Sequence, residues 1–279
     1  MPQYEELPLQ PWQIEREQWM FRQFTRAGFA ALATCDIEIY QGFCAELLAA
    51  RKRPPSLYAY VARCIGEVLR DRKPLVGTRW GKSLLIPSQI DVLAMVEMPA
   101  YRGAFSVSPV YLTDVGKRDL SDIAAQLKKD TPGVKREKPY VEPRSRFAPS
   151  WAPEWWSDAI KWARKRIKGQ PLIQTQARAH VQLSSTTQWL QGRTAWGFRL
   201  YTICPIAINV AGMSKRALVI HDEIVARTCL DIGFNFDHSV LDGAPATRFI
   251  ADLMAEIESG RLLGEYQSTF LKEPAVNED

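Results

Sequence analysis

Long hydrophobic runs are missing from this chain. The longest apolar stretch, Leu200 to Met213, covers 14 residues and is interrupted by Thr202, Pro205 and Asn209, which falls short of the roughly 20 residues needed to cross a bilayer. A membrane span is not expected. The amino terminus, MPQYEELPLQ, lacks both a positive segment and an apolar one, so it does not read as a secretory leader, and the cytoplasm is the expected compartment. Metal and phosphate signatures are also scarce. Cys35, Cys44, Cys64, Cys204 and Cys229 form no CxxC pair, and His180, His221 and His238 form no HExxH or HxxxH pair; reduced, mostly buried thiols and no metal are expected. Without a GxGxxG or GxxxxGK loop after a strand-like run, dinucleotide and P-loop chemistry drop out.

What is present is the composition of a globular protein. Of 279 residues, 46% are hydrophobic and 24% charged, enough length and apolar content for a sizeable core. Lacking repeats or a dividing linker, residues 1–279 are expected to form a single domain. The net charge of +5 is uneven. From Lys128 to Lys168 there are twelve Lys/Arg against five Asp/Glu, leaving 24 against 26 elsewhere. The same region holds Pro132, Pro139, Pro143, Pro149 and Pro153 together with Trp151, Trp155 and Trp156. It reads as an irregular basic insertion ending in a helix whose apolar stripe is Ala159, Ile160, Ala163 and Ile167. Such a run is either a solvated face or a patch for an anionic partner. Nucleic acid is not expected, because these tryptophans precede the basic helix instead of interleaving with it.

Helical spacing of apolar residues marks three further helices: Val61, Ile65, Val68 and Leu69; Leu120, Ile123, Ala124 and Leu127; and Ala246, Phe249, Ile250, Leu253 and Ile257. Strand-like runs lie at Leu32 to Tyr40, Ile90 to Met98, Val107 to Thr113, Gln176 to Ser184 and Tyr201 to Met213, and Ala217 to Phe236 reads as antiparallel strands broken at His221-Asp222-Glu223. Helices and strands mix without regular βαβ alternation.

The segment LDIGFNFDHSVLDGAPATRF, Leu230 to Phe249, carries the most chemistry. Leu230, Ile232, Phe234 and Phe236 alternate with polar or small residues, the period of a strand with one buried face. That parity predicts that His238 points inward at the strand's end. Asp242-Gly243-Ala244-Pro245 then reads as a turn into a helix, with Asp242 at the N-cap and Pro245 in the first turn. An imidazole titrates near neutrality, so one held at a strand end suits general base work.

Around these residues, DHSVLDG resembles the HxxxDG signature of the superfamily of chloramphenicol acetyltransferase and the 2-oxoacid dehydrogenase (dihydrolipoyl) acyltransferase catalytic domains. Ser56 to Trp80, Ile90 to Lys128, VQLSST (Val181 to Thr186) and CPIAINVAG (Cys204 to Gly212) are similar to further segments of that family in its order. The resemblance implies a chloramphenicol acetyltransferase-like fold: α/β in content, a two-layer sandwich with a mostly antiparallel mixed sheet covered by helices. It also implies an acyltransferase that moves an acyl group from acyl-CoA, as co-substrate, to a thiol or hydroxyl acceptor, small or carrier-bound. His238 would be the general base, Ser184, or Ser185 with a one-residue shift, the oxyanion donor, and Asp242 a structural carboxylate paired with an arginine such as Arg16 or Arg22. Gly243 would permit the turn, while His180 and His221 would be structural. The family's trimers imply a homotrimer in which histidine and serine come from different subunits.

The chain departs from the pattern in places. Ser239 replaces the arginine of DHRV, and Ser184 is followed by Ser185, Thr186 and Thr187 without the usual glycine. The basic region has no counterpart, and an acidic carrier protein or the phosphates of CoA are its candidate partners. A lipoyl domain, a covalently bound lipoyl group and a subunit-binding domain are not expected. The alternative is a non-catalytic trimeric scaffold of the same fold. Asp237, where condensation enzymes of peptide synthesis carry a second histidine, argues against that branch.

Overall fold

The computed structural model describes residues 28–80, 83–101, 104–131, 179–190, 192–197 and 204–270. Arg16, Arg22 and most of the basic insertion, including its expected helix, lie outside them.

Strand β1 (Gly28–Asp36) leads into helix α1 (Glu38–Ala49), and α2 (Leu57–Leu69) follows. A short hairpin, β2 (Thr78–Trp80) and β3 (Ser83–Leu85), precedes the strand pair β4 (Val92–Tyr101) and β5 (Ala104–Leu112) and then helix α3 (Leu120–Asp130). After these come β6 (Val181–Ser185), the long strands β7 (Ile206–Ile220) and β8 (Glu223–Asp237), and helices α4 (Gly243–Ser259) and α5 (Arg261–Phe270). Six strands form one sheet in the order β1-β8-β7-β6-β4-β5. Strand β6 runs parallel to β4 and β7, and the other neighbours are antiparallel. This is the mixed, mostly antiparallel sheet with helices that the resemblance implied.

One sheet face meets the helices. Val92, Ala94, Leu183, Ile206, Ile208, Val210, Leu230, Ile232, Phe234 and Phe236 share a single core with Tyr60 and Ile65 of α2, Ile123 of α3 and Phe249 and Leu253 of α4. Phe249 meets Phe234 and Phe236 edge-on at 6.4 and 6.3 Å between ring centres. Each fully buried phenylalanine contributes roughly 1.5–3 kcal/mol, so this trio fixes α4 against β8.

The three helices read from apolar spacing are all present, and two of them have a clear local reason to start or stop. The Ser56 hydroxyl accepts from Ala59 N at 3.2 Å and caps α2. Gly260 ends α4 at φ 66°, a left-handed position that favours glycine. His221 and Asp222, at φ 50° and 65°, form the two-residue turn of the β7–β8 hairpin, the geometry that matches strand twist. Three expectations need correcting. The run Leu32 to Tyr40 stays a strand only to Asp36, because the Asp36 carboxylate accepts from Glu38 N at 2.8 Å and turns the chain into α1. Helices α1 and α5 were not expected. The strands around Gln176 to Ser184 and Tyr201 to Met213 are described as Val181–Ser185 and Ile206–Ile220, with 176–178 and 201–203 outside the described residues.

Candidate active site

His238 leaves β8 at the rim of the sheet, as the pattern suggested, but its side chain is 50% exposed and not turned into the core. Residues Cys229 to Asp237 are buried on both faces, flanked by β1 on one side and β7 on the other. The ladder ends at Asp237, so strand parity no longer applies to the residue after it. A tight turn sets His238 instead. Val240 N and Leu241 N both donate to Asp237 O at 3.0 Å, and the Asp237 carboxylate accepts from Ser239 N at 2.9 Å and Ser239 Oγ at 2.6 Å. Buried Leu241 anchors the turn's far end. Phe29 of β1 stacks on Phe236 at 5.1 Å and meets the imidazole edge-on at the same distance. The imidazole therefore rests on an aromatic shelf with its remaining surface open.

Asp242 stands where an N-cap should, with extended backbone and its carbonyl accepting from Ala246 N at 3.1 Å, yet its side chain makes no cap bond. Pro245 lies in the first turn of α4, where its missing N–H is harmless. The Asp242 carboxylate is 82% exposed and its Oδ1 lies 3.4 Å from His238 Nδ1. Among the described residues the titratable group beside the Asp242 carboxylate is His238; Arg16 and Arg22, the arginines expected to pair with it, lie outside them. Gly243 has an ordinary helical backbone and open space where a Cβ would sit, so within one protomer the turn does not require glycine.

The two serines face opposite ways. Ser184 lies on the face away from the helices and donates to Asn209 Oδ1 at 3.0 Å and Ile208 O at 3.4 Å. Ser185 shares the helix side with Leu183; its Oγ lies 2.9 Å from Thr187 Oγ1 and accepts from Thr187 N at 3.4 Å, bracing the turn after β6. Neither is near His238. Ser184 pairs with Asn209, Asn209 with Gly233, and Gly233 is five residues before His238. Two strand spacings across and five residues along separate serine and histidine by about 19 Å.

Next to this row lies a polar network that sequence reasoning missed. Asp231, fully buried, takes both oxygens to Arg216 Nη2 at 2.6 Å and also accepts from Thr34 Oγ1 at 2.9 Å and Ala195 N at 3.1 Å. Arg216 covers the Trp196 ring at 5.4 Å. The network pins segment 192–197 to β7 and β8. Its sequence signal was an acid directly between the apolar Leu230 and Ile232.

The other two histidines have structural settings. His180 Nδ1 accepts from Asp91 N at 3.0 Å, and burial holds its pKa below the ordinary value; His221 occupies the hairpin turn. Cys35, Cys64, Cys204 and Cys229 are buried free thiols, Cys44 is half-buried, and burial raises the Cys35 and Cys64 pKa values far above the ordinary range. No group of three His, Cys, Asp or Glu is gathered as metal ligands among the described residues, and no described helix is long and apolar enough to cross a membrane.

Sheet order, helix layer and the histidine turn at the end of β8 define the fold of acyltransferase catalytic cores. Residues 205–264, which include the strand, turn and helix around His238, match the family model described as 2-oxoacid dehydrogenases acyltransferase (catalytic domain). A dihydrolipoyllysine-residue acetyltransferase component of pyruvate dehydrogenase complex from Rickettsia prowazekii (strain Madrid E) is 36% identical over 56 residues, which cover 20% of this chain and 14% of that protein. The chain thus matches only a small part of the curated relative's length. Among solved structures, the dihydrolipoamide acetyltransferase of Azotobacter vinelandii has a TM-score of 0.66 at 14% identity, covering 94% of each chain. Its catalytic mechanism was investigated at a serine, a histidine and an asparagine four residues after that histidine. The cubic core of the pyruvate dehydrogenase multienzyme complex has a TM-score of 0.64 at 14% identity, again over 94% of both chains. These likenesses establish the fold.

Proposed function

We propose that this protein is an acyltransferase that passes an acyl group directly from acyl-CoA to a thiol or hydroxyl acceptor, at sites shared between the subunits of a homotrimer. The observation that carries the reading is the separation of about 19 Å between His238 and Ser184 within one chain. A base and an oxyanion donor must both lie within about 3 Å of the reacting groups. One chain cannot arrange that, but the histidine of one copy and the serine of the next can. The solved cubic core of a multienzyme complex with this fold supports such an assembly.

In this reading His238 Nε2 takes the proton of the acceptor's thiol as the sulfur attacks the thioester carbonyl. Asp242, beside Nδ1, favours the tautomer that leaves Nε2 free. The oxyanion accepts a hydrogen bond from Ser184 of the neighbouring copy, an interaction worth about 3 kcal/mol when aimed at developing charge. Collapse of the intermediate expels the CoA thiolate, which recovers the proton from the imidazolium. Ser184 is preferred to Ser185 because it lies on the sheet face away from the helices, open to a neighbouring copy, whereas Ser185 faces the helix side. The basic region would attract the phosphates of CoA or an acidic carrier.

The test mixes two defective variants. His238→Ala and Ser184→Ala are each assayed for thiol release from short acyl-CoAs with dihydrolipoamide as acceptor, then co-produced with different tags and assayed as the mixed oligomer. Each variant alone should lose about 10²–10⁴-fold in rate for the base and 10²–10³-fold for the donor, and the mixed oligomer should regain activity. Inactivity of every mixed oligomer, or a monomer with full turnover, overturns the shared site.

A further inference from the structure

The Ser184 hydroxyl has one proton, and in the chain that proton is already directed. Oγ donates to Asn209 Oδ1 at 3.0 Å, with the more distant Ile208 carbonyl at 3.4 Å as its other acceptor. A hydroxyl held this way cannot also donate to an oxyanion. Asn209 stands directly opposite Ser184 on the parallel strand β7, so the contact is built into the sheet's register. The other end of the amide, Nδ2, occupies the space beside Gly197 that a Cβ there would take. Segment 192–197 is fixed in turn: Gly212 N donates to Ala195 O at 2.9 Å, Gly192 N donates to Met213 O at 2.7 Å, and buried Asp231 accepts from Ala195 N.

We propose that Asn209 is a positioning residue that decides whether the Ser184 hydroxyl can donate to the reacting group. With Oδ1 toward the serine, the proton is held by the amide. A half-turn of the amide exchanges its ends, and Gly197 accommodates either one because it presents no side chain. Nδ2 then donates to Ser184 Oγ and the hydroxyl proton turns outward. A hydroxyl that accepts one hydrogen bond while donating another is also polarised into a better donor. This inference rests on the reading of Ser184 as oxyanion donor and adds to it the residue that makes the serine competent.

Four variants of the oligomer test it, with acetyl-CoA and dihydrolipoamide as probes: Asn209→Asp, Gly197→Ala, Ser184→Ala and the Ser184→Ala/Asn209→Asp double. Asn209→Asp supplies two acceptors and no donor, so the carboxylate keeps the serine proton. Its kcat should fall by roughly 10- to 100-fold at pH 8, within the range for loss of an oxyanion donor, with KM for acetyl-CoA little changed. The ratio of variant to wild-type kcat should rise as pH falls, because a protonated carboxyl can again donate; taking the ratio cancels the titration of the histidine. Gly197→Ala should lower kcat in the same direction by displacing only the end of the Asn209 side chain. In a Ser184→Ala background, Asn209→Asp should have no further effect on kcat, since residues acting through one group are not additive.

A ratio flat with pH, or a full Asn209→Asp effect persisting in the Ser184→Ala background, gives Asn209 a merely structural role and overturns the inference while leaving Ser184 as donor. Full activity of Ser184→Ala alone overturns the donor reading and this inference with it. The two failures are distinguishable from the single variants.

Discussion

His238 Nδ1 lies 3.4 Å from Asp242 Oδ1, across the turn that joins β8 to α4, and both side chains are open to water. An exposed carboxylate–imidazole pair contributes little to folding, so in the proposed reaction Asp242 would act by orienting a ring that Phe29 supports from one side.

Asp242→Asn should therefore leave stability within about 0.5 kcal/mol of the wild type and retain most of the rate, because asparagine keeps an acceptor oxygen. Asp242→Ala, which removes it, should lower kcat on the order of tenfold, the worth of about one hydrogen bond. Thermal unfolding and steady-state kinetics check the pair. A loss of several kcal/mol in Asp242→Asn would point instead to the expected arginine partner for this carboxylate.

The buried Asp231–Arg216 pair should behave in the opposite way. Arg216→Met leaves the carboxylate fully buried with hydrogen bonds from Thr34 and Ala195 but no counter-charge, a change that costs about 3–5 kcal/mol. Adding Asp231→Asn removes the orphaned charge and retains an acceptor oxygen, so the double variant should be more stable than Arg216→Met alone. Urea midpoints decide it. Equal or lower stability of the double variant would mean that the charge itself is not the source of the loss.

His180 should give stability a dependence on acid. Burial lowers its pKa, with Asp91 opposing, and Nδ1 accepts from the Asp91 N–H, which the protonated ring could not do. A folded-state pKa below the unfolded value contributes stability that is present above the ordinary histidine value of 6.5 and lost as pH falls through the depressed one. His180→Gln keeps an acceptor and cannot titrate, so its Tm should fall less than the wild type's as pH is lowered from 7 toward 5. Parallel curves for the two proteins would remove His180 from the acid response.

Much of the core was legible because side-chain period reports it directly. Ala246, Phe249, Leu253 and Ile257 form the buried face of α4 as their spacing required, and Leu230 to Phe236 gave β8. The second buried face of β8 was not legible. Asp231, Asn235 and Asp237 look solvent-facing in sequence, whereas the structure buries them, and polarity alone does not reveal a buried ion pair. Helix α1 was hidden because Cys35, Ile37 and Ile39 alternate with Asp36 and Glu38 across the boundary with the period of a strand, and the carboxylate that turns the chain, Asp36, is also a plausible strand residue. His238 and Asp242 stood out through their spacing. Asn209 did not, because its significance lies in being opposite Ser184, a relation between residues 25 positions apart that only the strand register supplies.

Strand β1 has a consequence for the order in which the molecule is made. It pairs with Cys229 to Asp237, so Gly28–Asp36 must wait for a segment near residue 230 before its hydrogen bonds close. At 5–20 residues per second, that interval is about 10–40 s of synthesis. Until then β1, with Phe29 and Leu32, is an unpaired apolar strand on a nascent chain, open to pairing with other chains. The aromatic shelf beneath His238 thus joins residues 29 and 236, and cannot be assembled until the later of the two has been made.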